Sequence, residues 1–201
     1  MTLPVSARDA ERDHSVTTML FLCTANRCRS VLAEAIARRE LAASAFVIAS
    51  AGLLPGGGPV PSAGIQVARE LGYDLSTHRS RKADLRRLRG WDVILTAARE
   101  HARELVAADD DLRPRVFTIR QFRRWLDEHP LPRHVQLGPW LDLVAADRPR
   151  AELIGTSDED DIPDPLNSPP EGWREVARIM TDDLSSIAAH LAARPREEVP
   201  R

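Results

Sequence analysis

One thiol-containing loop between two regular segments constrains this chain more than any other feature. The loop reads Cys23-Thr-Ala-Asn-Arg-Cys-Arg-Ser30. It follows an apolar, β-prone run that ends at Leu22, and it leads into a segment from Val31 to Leu41 whose apolar residues recur at helical spacing. The pattern therefore predicts that the loop joins the carboxyl end of a strand to the N-terminus of a helix.

The same alternation continues along the chain and predicts an α/β fold. Strand-like runs that alternate with helix-like segments are typical of a parallel sheet covered on both faces. We expect a single three-layer domain with a central, twisted, four-stranded parallel sheet. The predicted strands are Thr17–Leu22, Phe46–Ala49, Trp91–Leu95 and Arg115–Ile119. The predicted helices begin at Arg29 or Ser30, after an N-cap at Ser62, at Arg99, at Gln121, at Leu137 and at Gly172.

Length and local composition indicate one domain with short tails. The chain has 201 residues, and 43% of them are hydrophobic, which suffices for a core. We expect a flexible leader over residues 1–16, the domain over 17–193 and a flexible tail over 194–201. Proline interrupts the region 128–161, which we interpret as an elaborated loop of the same domain.

Charge and cysteine content exclude several classes of function. The net charge of −2 argues against nucleic acid as a partner, and no apolar run is long enough for a membrane span. Both cysteines lie in one loop, which disfavours a structural disulfide and a zinc site. We expect a cytoplasmic protein, a monomer or weak dimer, without cofactor or metal.

The residues of the loop are those that phosphate-ester chemistry requires. Backbone N–H groups at a helix N-terminus bind a dianion, and Arg29 adds a fork that fits two phosphate oxygens. The same positive field favours the thiolate of Cys23, which would attack phosphorus and form a phosphocysteine. Ser30 is placed to hydrogen-bond the sulfur, and Asn26 to fix the loop.

A thiolate nucleophile also needs an acid for the departing alcohol. Asp164 is the best candidate, because the prolines on either side, at 163 and 165, would stiffen its loop. Taken alone, an Asp-Pro pair indicates a turn as readily as an acid.

Together these residues resemble the low-molecular-weight protein tyrosine phosphatase family. Its loop has the form Cys-x-Gly-Asn-x-Cys-Arg-Ser-Pro, and Cys23, Asn26, Cys28, Arg29 and Ser30 match it. Asp164-Pro165 resembles its acid loop. Further similar stretches are Ser50–Gly52, Gly72–Ser80, Asp92–Leu95 and Arg99–His101.

The resemblance implies a function for each matched residue. Cys23 would be the nucleophile, Arg29 the phosphate binder and Asp164 the general acid, with Ser50 and His78 in a supporting hydrogen-bond network. The loop residues that would bind substrate are Thr24, Ala25, Asn26, Arg27, Cys28 and Ser30. The substrate would be a phosphotyrosine-containing protein or a small aryl phosphate. Cys28 is also the residue with which family members form a reversible disulfide to the nucleophile.

Three positions depart from the family pattern. Ala25 replaces the loop glycine, and if that position needs a positive φ, its methyl group is strained. Val31 replaces a proline. Leu166 stands where an aromatic residue often lines the pocket, and the candidates to replace that ring are Trp125, Trp140 and Trp173.

Two basic features lie outside the catalytic pattern. Arg27 occupies a variable position at the lip of the loop, where it is either a solvated side chain or a residue that excludes cationic substrates such as phosphoarginine and prefers acidic phosphopeptides. The arginine-rich run from Arg79 to Arg89 is either solvated surface or a docking site for an acidic partner.

Two other functions fit the same loop. An arsenate reductase would use the same oxyanion bowl, although residues 97–111 contain no further cysteine to relay oxidation, so an external thiol would be needed. A phosphate-binding module without catalysis is the other alternative.

Overall fold

The computed structural model describes residues 16–132 and 135–192. The predicted tail and nearly all of the predicted leader lie outside the described residues. The strands are β1 Thr17–Cys23, β2 Phe46–Gly52, β3 Val93–Thr96 and β4 Val116–Thr118. The helices are α1 Arg29–Glu40, α2 Ser62–Glu70, α3 Arg99–Ala108, α4 Ile119–Glu128, α5 Leu137–Val144 and α6 Pro170–Ala192. Three short 3₁₀ segments occupy Leu85–Gly90, Asp110–Arg115 and Arg150–Leu153.

The four strands form one parallel sheet, as predicted, and the structure arranges them in the order β2-β1-β3-β4. Leu22 pairs with Ala51 of β2 on one side and with Thr96 of β3 on the other. The carboxyl ends of β1, β2 and β3 therefore meet at one edge of the sheet, which is where parallel α/β folds place their sites.

Alternate residues of β1 feed two separate hydrophobic cores, because successive side chains of a strand point to opposite faces. Met19 and Phe21 face the core built with α1 and α6. Leu20 and Leu22 face a smaller core built with α3. Burial on both faces explains why β1 is continuously apolar from Met19 to Leu22.

Several boundaries differ from those predicted. Ser62 is the first residue of α2 instead of its N-cap, a position that Pro61 occupies. α4 begins at Ile119, two residues early, because Thr118 and Gln121 form a reciprocal capping box. β2 extends to Gly52, since the edge residues 50–52 still pair with β1.

The region 128–161 is more ordered than a loop where the structure describes it. Leu137, Trp140 and Leu141 of α5 join the larger core. The buried guanidinium of Arg148 lies 3.7 Å from the centre of the Phe117 ring and donates to the Val116 carbonyl oxygen. These contacts fasten the region to β4.

Among residues 16–132 and 135–192, no helix is both long enough and apolar enough to cross a membrane. The same residues contain no group of three or more His, Cys, Asp or Glu side chains arranged to hold a metal ion.

Candidate active site

Cys23 is the last residue of β1, and the loop 23–29 leads from it into α1. We call this loop, together with the Cys23 side chain, the bowl. The Cys23 side chain is buried, and Cys23 Sγ lies 3.1 Å from Ser30 Oγ. The Ser30 hydroxyl accepts a hydrogen bond from Asn26 Nδ2 at 3.0 Å. The Ser30 Oγ–H has two acceptors within reach, the Ala51 carbonyl oxygen at 3.3 Å and the Cys23 sulfur. The first N–H groups of α1 have no acceptor within the helix, so they add a positive field at the same place.

Asn26 holds the loop in shape. It is fully buried and has φ 52°, which makes it the one non-glycine residue with positive φ in the described part of the chain. Its Nδ2 donates to Ser50 Oγ at 2.8 Å as well as to Ser30, and its Oδ1 accepts from the Arg81 backbone N–H at 3.0 Å. The left-handed position is thus Asn26 and not Ala25, so the alanine in place of glycine carries no strain from positive φ.

Ser50 connects this network to a buried carboxylate. The Ser50 hydroxyl donates to Glu34 Oε2 at 2.5 Å, and Glu34 Oε1 pairs with Arg38 at 2.6 Å. The Ser50 oxygen is then oriented to accept from Asn26. Ser50 was predicted from the sequence, whereas Glu34 was not, because the burial of Glu34 on α1 depends on how that helix packs.

Two histidines contact the loop in their neutral form. His78 Nε2 lies 2.8 Å from the Asn26 carbonyl oxygen, and burial lowers the pKa of His78, with Arg81 and Arg79 acting in the same direction. A neutral ring that donates from Nε2 satisfies this carbonyl. His101 Nε2 lies 2.9 Å from Thr24 Oγ1, and burial, followed by the Arg29 charge, lowers the pKa of His101 to about 4.

His101 is the second residue that sequence reasoning missed. The stretch containing it was recognised as similar to the family, but the contact with Thr24 depends on how α3 lies beside β1. No local signal in the sequence reveals that arrangement.

The Arg29 guanidinium joins the loop to the Asp164 segment. Arg29 is 5% exposed, and its Nη2 lies 2.6 Å from Asp164 Oδ2 and 3.3 Å from Thr24 Oγ1. Nη1 donates to the Ile162 carbonyl oxygen at 3.3 Å. Nε is buried and has no hydrogen-bond acceptor among the described residues, which leaves a donor for an oxyanion. The structure thus brings Cys23, Arg29 and Asp164 to one bowl.

The segment that carries Asp164 is anchored to the body of the protein by charged contacts. Asp160 is fully buried and accepts from Arg99 Nε at 2.5 Å, from Gln121 Nε2 at 2.8 Å and from Arg124. The Ile162 backbone N–H donates to the Ala97 carbonyl oxygen at 2.8 Å. These contacts fix the chain just before Asp164 and so position the carboxyl group at the bowl.

The two cysteines differ in character. Both are free thiols. Burial raises the pKa of Cys28 to about 12, and negative charge at Asp164 and Cys23 adds to the effect. Cys28 is therefore held as a neutral thiol, and the expected reversible disulfide with Cys23 stays a prediction.

Comparison with known proteins agrees with this geometry. The family model described as low molecular weight phosphotyrosine protein phosphatase matches residues 18–132. The chain belongs to this family. It is a phosphatase built on a cysteine-containing loop. The matched range contains the bowl and ends before Asp164.

Curated relatives of the family are similar over 57% of the chain. The Wzb low molecular weight protein-tyrosine-phosphatase of Escherichia coli strain K12 is 32% identical over 114 residues, which is 57% of this chain and 75% of the relative. The probable low molecular weight protein-tyrosine-phosphatase EpsP of Ralstonia solanacearum is 29% identical over 115 residues, 57% of this chain and 79% of the relative.

Solved structures extend the likeness of fold. The low molecular weight protein tyrosine phosphatase of T. tengcongensis has a TM-score of 0.64 and 25% identity, and the alignment covers 86% of this chain and 98% of that one. The YwlE arginine phosphatase of Geobacillus stearothermophilus has a TM-score of 0.68 over 92% of this chain and 99% of that one, at 20% identity. The second likeness concerns the fold alone.

The lip of the phosphatase bowl differs from the expectation in its aromatic residues. Leu166 is 38% exposed, but none of the three tryptophans takes the place of the missing ring. Trp173 is buried against Gly64 of α2, Trp140 is buried in the larger core, and Trp125 stacks on His129 at 3.9 Å. All three rings are engaged in packing because they lie on helices whose apolar faces cover the sheet.

Arg27 is held at the lip and is not a freely solvated side chain. Its Nε donates to the Pro59 carbonyl oxygen at 2.8 Å, and its stem passes close to the Gly58 backbone. A filter against cationic substrates stays a hypothesis for this guanidinium.

Proposed function

We propose that this phosphatase hydrolyses phosphotyrosine in proteins, or small aryl phosphates, through a phosphocysteine at Cys23. The observation that carries the proposal is the buried Arg29 guanidinium, which contacts both the Cys23 loop and Asp164. One cation thus links the part of the site that holds phosphate with the part that supplies a proton. The curated relatives of the family are named protein-tyrosine-phosphatases.

In the first step the Cys23 thiolate attacks phosphorus while Arg29 and the loop N–H groups bind the non-bridging oxygens. The S–P bond forms and the bond from phosphorus to the ester oxygen breaks. Asp164, protonated at this stage, gives its proton to the departing oxygen, so a phenol leaves instead of a phenolate.

In the second step the Asp164 carboxylate takes a proton from water, and the water oxygen attacks the phosphocysteine. The S–P bond breaks, inorganic phosphate is released, and the electron pair returns to Cys23. Ser30, which lies 3.1 Å from the sulfur, stabilises the departing thiolate by a hydrogen bond.

Substitution of the nucleophile and of the acid tests this assignment. Cys23→Ser is expected to abolish turnover of para-nitrophenyl phosphate while binding of tungstate persists, since the anion site is unchanged. Asp164→Ala is expected to slow esters with poor leaving groups by about 10²-fold or more, and esters with good leaving groups much less, because only the former need the proton.

Asp158→Ala is the matched control, because Asp158 is an exposed acid in the same acidic run. The assignment of Asp164 as the acid is contradicted if Asp164→Ala slows esters with good and poor leaving groups equally. It is also contradicted if Asp158→Ala slows esters with poor leaving groups as much as Asp164→Ala does. Consumption of thiol that depends on arsenate, without any phosphatase activity, would favour the reductase chemistry instead.

Cytoplasmic location and a monomeric or weakly dimeric state belong to the same proposal. The unpaired thiols of Cys23 and Cys28, side by side in one loop, suit a reducing compartment. Cell fractionation and light scattering of the purified full chain measure the two properties.

A further inference from the structure

A cleft with a volume of 740 Å³ lies next to the bowl, on the side of β2. Residues 56–57, 77–82, 84 and 87 line it. None of these residues takes part in the bond-making steps proposed above. A cleft of this size accommodates several amino-acid side chains or a ligand of drug size.

The walls of the cleft are held by backbone contacts and are therefore preformed. The Gly52 N–H donates to the Arg81 carbonyl oxygen, and the Ala83 N–H donates to the Gly52 carbonyl oxygen, each at 2.8 Å. This pairing adds the segment around Lys82 to the edge of β2. On the other wall, the Gly57 N–H donates to the Ser80 carbonyl oxygen at 2.8 Å. The cationic side chains of the segment thus project from a fixed backbone.

The charge of the cleft is strongly positive. Four of its residues are cationic and one is acidic: Arg79, Arg81, Lys82 and Arg87 against Asp84. Asp84 is already shared by Arg86 at 3.3 Å and Arg87 at 3.6 Å. Within the described residues, no carboxylate lies at ion-pair distance from Arg81 or Lys82. Two cations without an acidic partner are therefore available to an anionic ligand.

The cleft and the bowl share a wall. His78 lines the cleft and, through Nε2, contacts the Asn26 carbonyl oxygen of the catalytic loop at 2.8 Å. The Arg81 backbone N–H donates to the Asn26 side chain. A polypeptide that places a phosphorylated side chain in the bowl would lay its neighbouring residues over this cleft.

We propose that the cleft binds acidic side chains that flank the phosphotyrosine of a protein substrate, so that the enzyme prefers acidic phosphopeptides. This inference rests on the proposed function and adds a substrate class to it. The net charge of −2 for the whole chain confines the attraction to this cleft, which favours a local acidic segment over an extended polyanion such as nucleic acid.

The test compares two phosphotyrosyl peptides of equal length, one with Asp and Glu flanks and one with Ser and Gln flanks, beside para-nitrophenyl phosphate. The double variant Lys82→Gln/Arg87→Gln removes two cleft charges whose side chains do not contact the catalytic loop. We expect its kcat/KM for the acidic peptide to fall about 5- to 10-fold, as for two screened charge pairs. The values for the neutral peptide and for para-nitrophenyl phosphate are expected to stay within about twofold.

The matched control is Arg69→Gln/Arg178→Gln, which removes the same charge from exposed positions on α2 and α6 outside the cleft. It is expected to retain the full preference for the acidic peptide. Added salt should reduce the preference of the wild-type enzyme, because exposed charges are screened.

The proposal is overturned if the wild-type enzyme and Lys82→Gln/Arg87→Gln prefer the acidic peptide equally. It is also overturned if Arg69→Gln/Arg178→Gln loses this preference as much as the cleft variant does. Fluorescence anisotropy measures the binding of both peptides to the Cys23→Ser variant, and this binding tests the cleft separately from the proposed function. If the wild-type enzyme turns over neither peptide nor para-nitrophenyl phosphate, but the acidic peptide binds more weakly to Cys23→Ser/Lys82→Gln/Arg87→Gln than to Cys23→Ser, the catalytic assignment is rejected and the cleft is supported. If the wild-type enzyme turns over para-nitrophenyl phosphate normally, but the acidic peptide binds equally to the Cys23→Ser proteins with and without the cleft substitutions, the catalytic assignment is supported and the cleft is rejected.

Discussion

At the scale of single residues, the conformational demand of the catalytic loop falls on Asn26. Asparagine tolerates the left-handed region better than most residues with a side chain, and here its amide makes three hydrogen bonds within the network. Ala25 precedes it without a positive φ. The departure from the family glycine at position 25 is therefore compatible with an intact bowl.

Separate substitutions of Ala25 and Asn26 test that conclusion. Ala25→Gly is expected to give no gain in kcat and to lower the free energy of unfolding by about 0.5–1 kcal/mol, because glycine adds entropy to the unfolded chain. Asn26→Ala is expected to lower it by at least about 2 kcal/mol, from φ strain and buried groups left without partners, and to reduce kcat. Urea unfolding and steady-state assays measure both.

Asn167→Ala provides the comparison, since Asn167 is exposed and the only other asparagine in the chain. Its effect on stability should stay within about 0.5 kcal/mol. A gain in kcat for Ala25→Gly would show that residue 25, and not residue 26, limits the loop.

At the scale of elements, the end of β2 supports the catalytic loop from behind. A Cβ atom at Gly52 would lie 2.7 Å from the backbone of Ala25 and of Asn26. Real Cβ atoms do not approach backbone that closely, so only glycine lets β2 and the loop meet. The resemblance of Ser50–Gly52 to the family pattern thus has a steric cause.

Two glycine substitutions separate support of the loop from general packing. Gly52→Ala is expected to reduce kcat/KM about 10-fold or more, because the loop must move away from the new methyl group. Gly64→Ala crowds the Trp173 ring at 2.5 Å and should cost about 1–3 kcal/mol of stability with little change in kcat. Thermal unfolding and kinetics on para-nitrophenyl phosphate distinguish the two. Equal losses of activity would mean that the loop is not specifically supported by Gly52.

The segment that carries Asp164 is held by an ionic anchor between elements. Asp160 connects this segment to Arg99 at the start of α3 and to Arg124 of α4. Asp160→Asn leaves two arginines without their charge partner and is expected to cost about 3 kcal/mol of stability. Displacement of Asp164 should slow esters with poor leaving groups by up to about 10²-fold.

Asp182→Asn is the control for that substitution, because Asp182 pairs with Arg178 on the exposed side of α6. It should leave the dependence on leaving group unchanged. Measurement at low temperature keeps the Asp160→Asn protein folded. A wild-type dependence on leaving group in that protein would show that the anchor does not position Asp164.

At the scale of the whole molecule, buried neutral histidines make stability depend on pH. Folding lowers the pKa of His101 from 6.5 to about 4, so the unfolded chain binds more protons between these values. Stability is therefore complete above pH 6.5 and declines as the pH falls toward 4. The lowered pKa of His78 acts in the same direction.

From this shift we expect His101 to account for a loss of about 2 kcal/mol in the free energy of unfolding between pH 7.5 and pH 5. Urea unfolding at the two pH values measures it. In His101→Gln, which retains a polar partner for Thr24, this part of the decline should disappear. An identical decline in wild type and variant would show that His101 does not titrate as the structure indicates.

The order of strands and helices could be predicted because the spacing of apolar residues that distinguishes a strand from a helix is a property of neighbouring residues in the sequence. β1 is apolar from Met19 to Leu22 since both of its faces are buried, and the glycine and proline content around residues 54–61 marks a connection. Boundaries were less accurate where capping decides them, as at Thr118 with Gln121. The 128–161 region was read as a loop because the burial of α5 and Arg148 depends on β4, which lies earlier in the chain.

The sequence by itself determined the parallel α/β fold and the loop that carries Cys23 and Arg29, because a strand, a loop and a helix in succession fix both with contacts close in the chain. Only the tertiary structure decided that Asp164, 135 residues after Arg29, lies against that guanidinium, and that His101 and Glu34 complete the network. Those contacts arise where the carboxyl ends of separate strands converge, and no spacing in the sequence encodes the distances between them. The same convergence places a positive cleft beside the bowl, which in the sequence was only a run of arginines.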